Sequence, residues 1–137
     1  MLSKVNVNTN IAEIFAGYTY GSYGYDGDGP NLATTAQFKY PLDCDVNSVT
    51  GDVLIADSSN YRVRNVFDDN GVYKIELIAG NGYYGYYGDG GDPKNAEFKY
   101  VQSAIWDPDG NILITDRYNY LIRNYVNAPE PEPEPEH

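Results

Sequence analysis

Apolar and polar residues alternate in short runs along the chain, and each run is bounded by Gly, Pro, Asn or Asp. Residues 41–46 set Leu42, Cys44 and Val46 against Asp43 and Asp45, the period-two pattern of a strand with one apolar face. Residues 52–57 and 62–67 are further β-rich runs, and 73–79 is a fourth. Between the third and fourth, Asp68-Asp69-Asn70-Gly71 carries the Asn-Gly pair that favours a two-residue hairpin. The succession restarts at 101–106, 112–115 and 121–126. It predicts an all-β chain of antiparallel strands without long helices.

One nine-residue phrase joins the second strand to the third in both copies. Residues Asp57 to Asn65 and Asp116 to Asn124 both read D-x-x-N-Y-x-(V/I)-R-N. Asp57 and Asp116, at strand ends, are expected to accept hydrogen bonds from backbone N–H groups two or three residues on. Asn60 and Asn119 are expected to tolerate the left-handed conformation such a turn needs. Arg62, Arg64 and Arg123 lie in the third strands, with stems to bury and forks to bond to carbonyls or to Asp57 and Asp116. An anion site is the alternative use of these arginines.

The repetition extends beyond the phrase, at a period of about 60 residues, the signature of a repeat architecture. Ile14-Phe15-Ala16-Gly17 returns as Leu77-Ile78-Ala79-Gly80, and Ala36-Gln37-Phe38-Lys39-Tyr40 as Ala96-Glu97-Phe98-Lys99-Tyr100. With the D-x-x-N-Y-x-(V/I)-R phrases, the Leu77-Ile78-Ala79-Gly80-Asn81-Gly82 stretch and Gly88-Asp89-Gly90-Gly91 running on to Ala96, the chain resembles the NHL-repeat β-propellers over about residues 5–126. The first copy departs once, since Asp28-Gly29-Pro30 runs to Ala36 with one residue more than its counterpart.

The resemblance implies a β-propeller built from four-stranded antiparallel blades, two blade equivalents within residues 1–126. A fourth strand falls at 5–16, a full blade at 41–79, and strands one to three of the next blade at 101–126. The first strands would line a central channel. NHL propellers mostly act as interaction modules, so the resemblance implies a binding or scaffold protein.

Composition narrows the partners. Twenty Asp and Glu against nine Lys and Arg give a formal charge of −11, which argues against nucleic acid, whose binding rests on cationic neutralisation of phosphates. The single cysteine, Cys44, excludes an internal disulfide and is expected in the core. Neither a signal peptide nor eighteen consecutive apolar residues can be found, so no membrane association is expected and a cytoplasmic location is the default. Residues 127–137 form an acidic Pro/Glu tail, expected to be disordered or extended.

Candidate chemistry is concentrated in two long Gly/Tyr loops. Tyr and Gly together give rigid amphipathic contact area on an adaptable backbone, as in antibody paratopes. Tyr20, Tyr23, Tyr25, Tyr83, Tyr84, Tyr86 and Tyr87 are therefore candidates for a face recognising a protein, peptide or glycan. Packing against a neighbouring blade is their alternative use. Asp26, Asp28 and Asp89, with Asp92, carry oxygen ligands of the kind Ca²⁺ takes, but a turn suits their glycine-rich context better. Catalytic groups are sparse: the one histidine is terminal, and no nucleophile has a histidine beside it. A metal-dependent lyase or hydrolase using Asp45, Asn47 and Asp107 in the channel is the rival reading, although Ile105 and Trp106 fill corresponding positions in the second copy. No cofactor is expected.

The two open ends of the repeat predict self-association. Residues 11–16 supply a fourth strand and 101–126 supply strands one to three, so each end complements the other. Pairing of 11–16 with 121–126 of a neighbour completes every blade and covers exposed strand edges. Such head-to-tail contacts propagate until a ring closes. Six blades, common among NHL propellers, imply a homotrimer, with a tetramer of eight blades as the alternative.

Overall fold

The computed structural model describes residues 1–9, 11–18, 23–26, 28, 29, 31–126 and 135. Tyr20 and almost all of the acidic tail therefore lie outside the described residues. Nine strands form: β1 (Leu2–Asn6), β2 (Ile11–Ala16), β3 (Pro41–Val46), β4 (Val53–Asp57), β5 (Arg62–Asp69), β6 (Val72–Ala79), β7 (Val101–Trp106), β8 (Ile112–Asp116) and β9 (Leu121–Tyr125). They make antiparallel sheets of two, four and three strands in the orders β1-β2, β3-β4-β5-β6 and β7-β8-β9. The chain is all-β, as the alternation predicts; the only helical pieces among the described residues are short 3-10 turns.

The sheets stack face to face, with the four-stranded sheet in the middle. One of its faces gives Leu54, Ala56, Val63 and Ala79 to a core shared with Phe98, Val101, Ala104, Ile112 and Ile114. The other gives Val53, Ile55, Val66 and Ile75 to a core with Ala16, Ala36 and Phe38, against which Leu2 and Phe15 pack. Strand β4 is buried along its whole length because it lies between two sheets, whereas β8 alternates buried and half-buried residues because only one side is covered. The β5–β6 hairpin closes with Asp69 opposite Val72 on Asn70 (φ 54°) and Gly71 (φ 88°), both left-handed, as a tight Asn-Gly hairpin turn requires.

Two features depart from the sequence reading. Residues 5–16 are not a single strand: β1 pairs with β2 as a hairpin, turned where the Asn6 side chain accepts a hydrogen bond from the Asn8 N–H at 3.0 Å. The fourth-strand counterpart is Ile11–Ala16 alone. Cys44 is exposed rather than in the core, because β1 and β2 cover only part of the face on which it sits.

Candidate functional site: a tyrosine-rich loop face

Each nine-residue phrase builds a buried polar clamp. Asp57, completely buried, accepts hydrogen bonds from the Lys39 N–H (2.8 Å), from Asn60 Nδ2 (2.8 Å) and from Arg64 Nη1 (3.3 Å). Arg64, equally buried, also donates to the carbonyls of Gln37 (2.5 Å) and Asp26 (2.6 Å), pairs with Asp28 at 3.0 Å and lies over the Phe38 ring. The second copy repeats this: Asp116 accepts from the Lys99 N–H (2.8 Å), Asn119 Nδ2 (2.6 Å) and Arg123 Nη1 (3.4 Å). Arg123 reaches the carbonyls of Glu97 and Tyr87, and Asp89. Burial pushes the Asp57 carboxyl up from its ordinary value, against the pull of Asn60, the Lys39 N–H and Arg64.

The clamp differs from the expected turn. Neither Asp57 nor Asp116 caps the 3-10 turn after it; each reaches across to the loop segment that leads into the first strand of its own sheet. The left-handed residue is Tyr61 (φ 55°) or Tyr120 (φ 57°), not the preceding Asn. Each Asn is instead engaged on two sides, Asn60 donating to Asp57 and to the Gly24 carbonyl (2.6 Å), Asn119 to Asp116 and to the Gly85 carbonyl (2.8 Å). Tyr40 (φ 52°) and Tyr100 (φ 83°) are left-handed too. For a bulky residue this backbone is costly, so four repeats of it at one end of the sheets mark a specialised surface. The signal in the sequence was positional: Tyr40 matches Tyr100, and Tyr61 matches Tyr120.

The clamps bring loops and turns to one end of the stacked sheets. Tyr61 of the first turn meets Tyr84 of the second loop edge-on at 5.4 Å, and Tyr100 meets Tyr118 at 5.6 Å. Lys39 lies over Tyr23 and Lys99 over Tyr84. Of the candidate tyrosines, Tyr23, Tyr83, Tyr84, Tyr86 and Tyr87 are exposed, and Tyr25 less so. Tyr40, Tyr118 and Tyr120, which loop composition did not single out, join them, Tyr120 being 90% exposed. Tyr25 belongs to the scaffold: the Arg62 guanidinium lies 3.4 Å from its ring centroid and its hydroxyl donates to Asp28. Partial burial, with Asp28 beside it, pushes the Tyr25 hydroxyl up to about 12.

The carboxylates considered as metal ligands face other groups. Asp28 and Asp89 pair with Arg64 and Arg123, and the Asp26 backbone carbonyl serves Arg64. Asp45 accepts from the Trp106 N–H at 2.8 Å, while Asn47 and Asp107 close their own turns by accepting from backbone N–H groups. Among the described residues no group of three or more His, Cys, Asp or Glu is placed to hold a metal ion.

This arrangement of antiparallel sheets has clear structural counterparts. A protein of unknown function from Bacteroides thetaiotaomicron VPI-5482 is similar with a TM-score of 0.72 and 24% identity, over 90% of this chain and 29% of that one. An auxiliary nutrient binding protein from the same organism is similar with a TM-score of 0.67 and 21% identity, over 90% of this chain and 31% of that one. The chain thus spans under a third of the length of these proteins, and at such identities the likeness establishes the fold. No family model and no curated protein matches the chain.

Proposed function

We infer that the chain is a binding module, a partial NHL-type β-propeller whose tyrosine-rich loop face recognises a ligand. The observation that carries this is the run of exposed tyrosines across both loops and the second turn, held by buried Asp–Arg–Asn clamps. Rigid aromatic rings on an anchored backbone offer contact area at low entropic cost, and an exposed apolar patch of this kind marks an interaction site. A protein, peptide or glycan fits such a face, and a binding role is compatible with the likeness in fold to a protein described as an auxiliary nutrient binding protein. Binding of a panel of immobilised polysaccharides and peptides tests it. Tyr84→Ala and Tyr86→Ala should lose the interaction while keeping the β-sheet circular dichroism, and unchanged binding in both variants defeats the assignment.

The second element of this reading is head-to-tail assembly. It is supported by the three-stranded sheet β7-β8-β9, which has the strand order of β3-β4-β5 but, among the described residues, no counterpart of β6. Copies completing one another's sheets give a closed ring, a homotrimer of six blades or a tetramer of eight. Light scattering on a size-exclusion column distinguishes trimer, tetramer and monomer, and a folded monomer across the whole concentration range defeats it.

A further inference from the structure

Strand β1 stands in the place that a third strand takes in the complete sheet. It pairs with β2 through Leu2↔Ala16, Ser3↔Ile14 and Lys4↔Glu13. In the complete sheet β5 pairs with β6 through Val63↔Ala79, Arg64↔Leu77 and Asn65↔Glu76. Even the register irregularity falls at the same step, between Leu2 and Ser3 as between Val63 and Arg64. Strand β1 is a poor copy, however. Ser3 occupies the position of the clamp arginine, and only Leu2 of the five residues is even partly buried.

Strand β9 is a full copy that, among the described residues, has no partner on its outer edge. It lies on β8 in the register that β5 keeps on β4, with Asn124 opposite Leu113 as Asn65 is opposite Leu54. Asn65 is buried and bonds Glu76 at 3.1 Å, whereas Asn124 is exposed. The uncovered face of its sheet presents Ile105 and Ile122, both exposed, and Leu113, half-buried where its counterpart Leu54 is fully buried. Beside β1 runs an apolar cleft lined by Leu2, Phe15, Cys44, Val46 and Val53. Cys44 and Val53 match Ala104 and Ile112, which the middle sheet covers inside the chain.

We propose that β1 is a removable stand-in: β9 of a second copy displaces it from β2, and the uncovered face of that copy's third sheet seats over the Cys44–Val46 cleft. This rests on the head-to-tail reading above and fixes its register: Ile122 opposite Ala16, Arg123 opposite Ile14, Asn124 opposite Glu13. Because β1 and β9 compete for one edge, a copy is ready to associate only when β1 is released. Its apparent affinity is weakened by the released fraction, so a hairpin closed about nine-tenths of the time weakens assembly roughly tenfold.

The test compares the full chain with chains lacking residues 1–6 and 1–16, by light scattering over a concentration series. Loss of 1–6 should lower the concentration needed for assembly on the order of tenfold, and loss of 1–16 should abolish assembly. Glu13→Cys with Asn124→Cys, in a Cys44→Ser background that keeps β1, should give disulfide-linked oligomers under mild oxidation. In the full chain, the Cys44 thiol should be accessible to a maleimide when dilute and protected when assembled. If the full chain assembles but removal of 1–6 changes nothing, the competition is wrong and assembly stands. If every form stays monomeric and β-structured, the assembly reading itself fails.

Discussion

Arg64 and Asp57 are both fully buried and meet at 3.3 Å, with the Asp57 carboxylate also receiving Asn60 and the Lys39 N–H. Removing the cation leaves a buried carboxylate with neutral donors only. Arg64→Met should cost about 3–5 kcal/mol at neutral pH, the range for breaking a buried ion pair. The folded-state pKa of Asp57, already above its ordinary value, should rise further. A carboxyl raised in the folded state holds more protons folded than unfolded, so stability falls as pH rises between the unfolded and folded values. Urea unfolding of Arg64→Met at pH 5 and pH 7 should therefore show part of the loss recovered at pH 5.

Tyr25 offers a spectroscopic check of the same framework. Its hydroxyl, held between partial burial and Asp28, should ionise at about 12. The sign is that of any acid raised on folding: stability contributed by the protonated hydroxyl is lost as pH climbs from 10 towards 12. Absorbance titration at the phenolate band should contain a component at that pH, and Tyr25→Phe should remove it.

Tyr120 separates recognition from stability. It is left-handed at φ 57° and 90% exposed. Glycine relieves a backbone penalty of roughly 1–2 kcal/mol and adds unfolded-state entropy worth roughly 0.5–1 kcal/mol. Tyr120→Gly should thus stay within about 1 kcal/mol of the parent in denaturant unfolding while weakening ligand capture by the loop face.

Two glycines with similar backbones should respond differently to alanine. At Gly80 (φ +100°) a Cβ would lie 2.2 Å from the Tyr61 carbonyl oxygen, whereas at Gly110 (φ +83°) nothing lies within 4 Å. Gly110→Ala should cost about 1 kcal/mol from backbone strain alone. Gly80→Ala should cost at least about 2 kcal/mol more, because the clash falls where a loop crosses the clamp turn. Thermal melts of the two variants side by side settle the ranking.

Strands were legible because their signal is local. Alternation at 41–46, the apolar core of β4 and the Asn-Gly turn at 70–71 each follow from neighbouring residues. What was hidden depends on distant chain. Asp57 reads as a cap, yet its backbone donor is Lys39, far upstream in a loop without periodicity. Cys44 reads as core because its strand alternates, but its side of the sheet is only partly covered. Strand β1 went unseen since Leu-Ser-Lys-Val-Asn has neither the arginine nor the turn phrase that identify its counterparts. Propensity points to Asn for left-handed positions, and here Asn is already engaged in the clamp.

The order of residues within the clamp carries a consequence for biosynthesis. Every partner of the Arg64 side chain among the described residues precedes it in the chain: Asp26, Asp28, Gln37 and Asp57 have all been made when the arginine emerges. The same holds for Arg123 with Tyr87, Asp89, Glu97 and Asp116. On the ribosome, therefore, each clamp has all its side-chain partners when its arginine arrives, although the first sheet still waits for β6, where Leu77 lies opposite Arg64. Synthesis itself then sets the order of assembly, from the first unit to the second, and the buried carboxylates spend little time without their counter-charge.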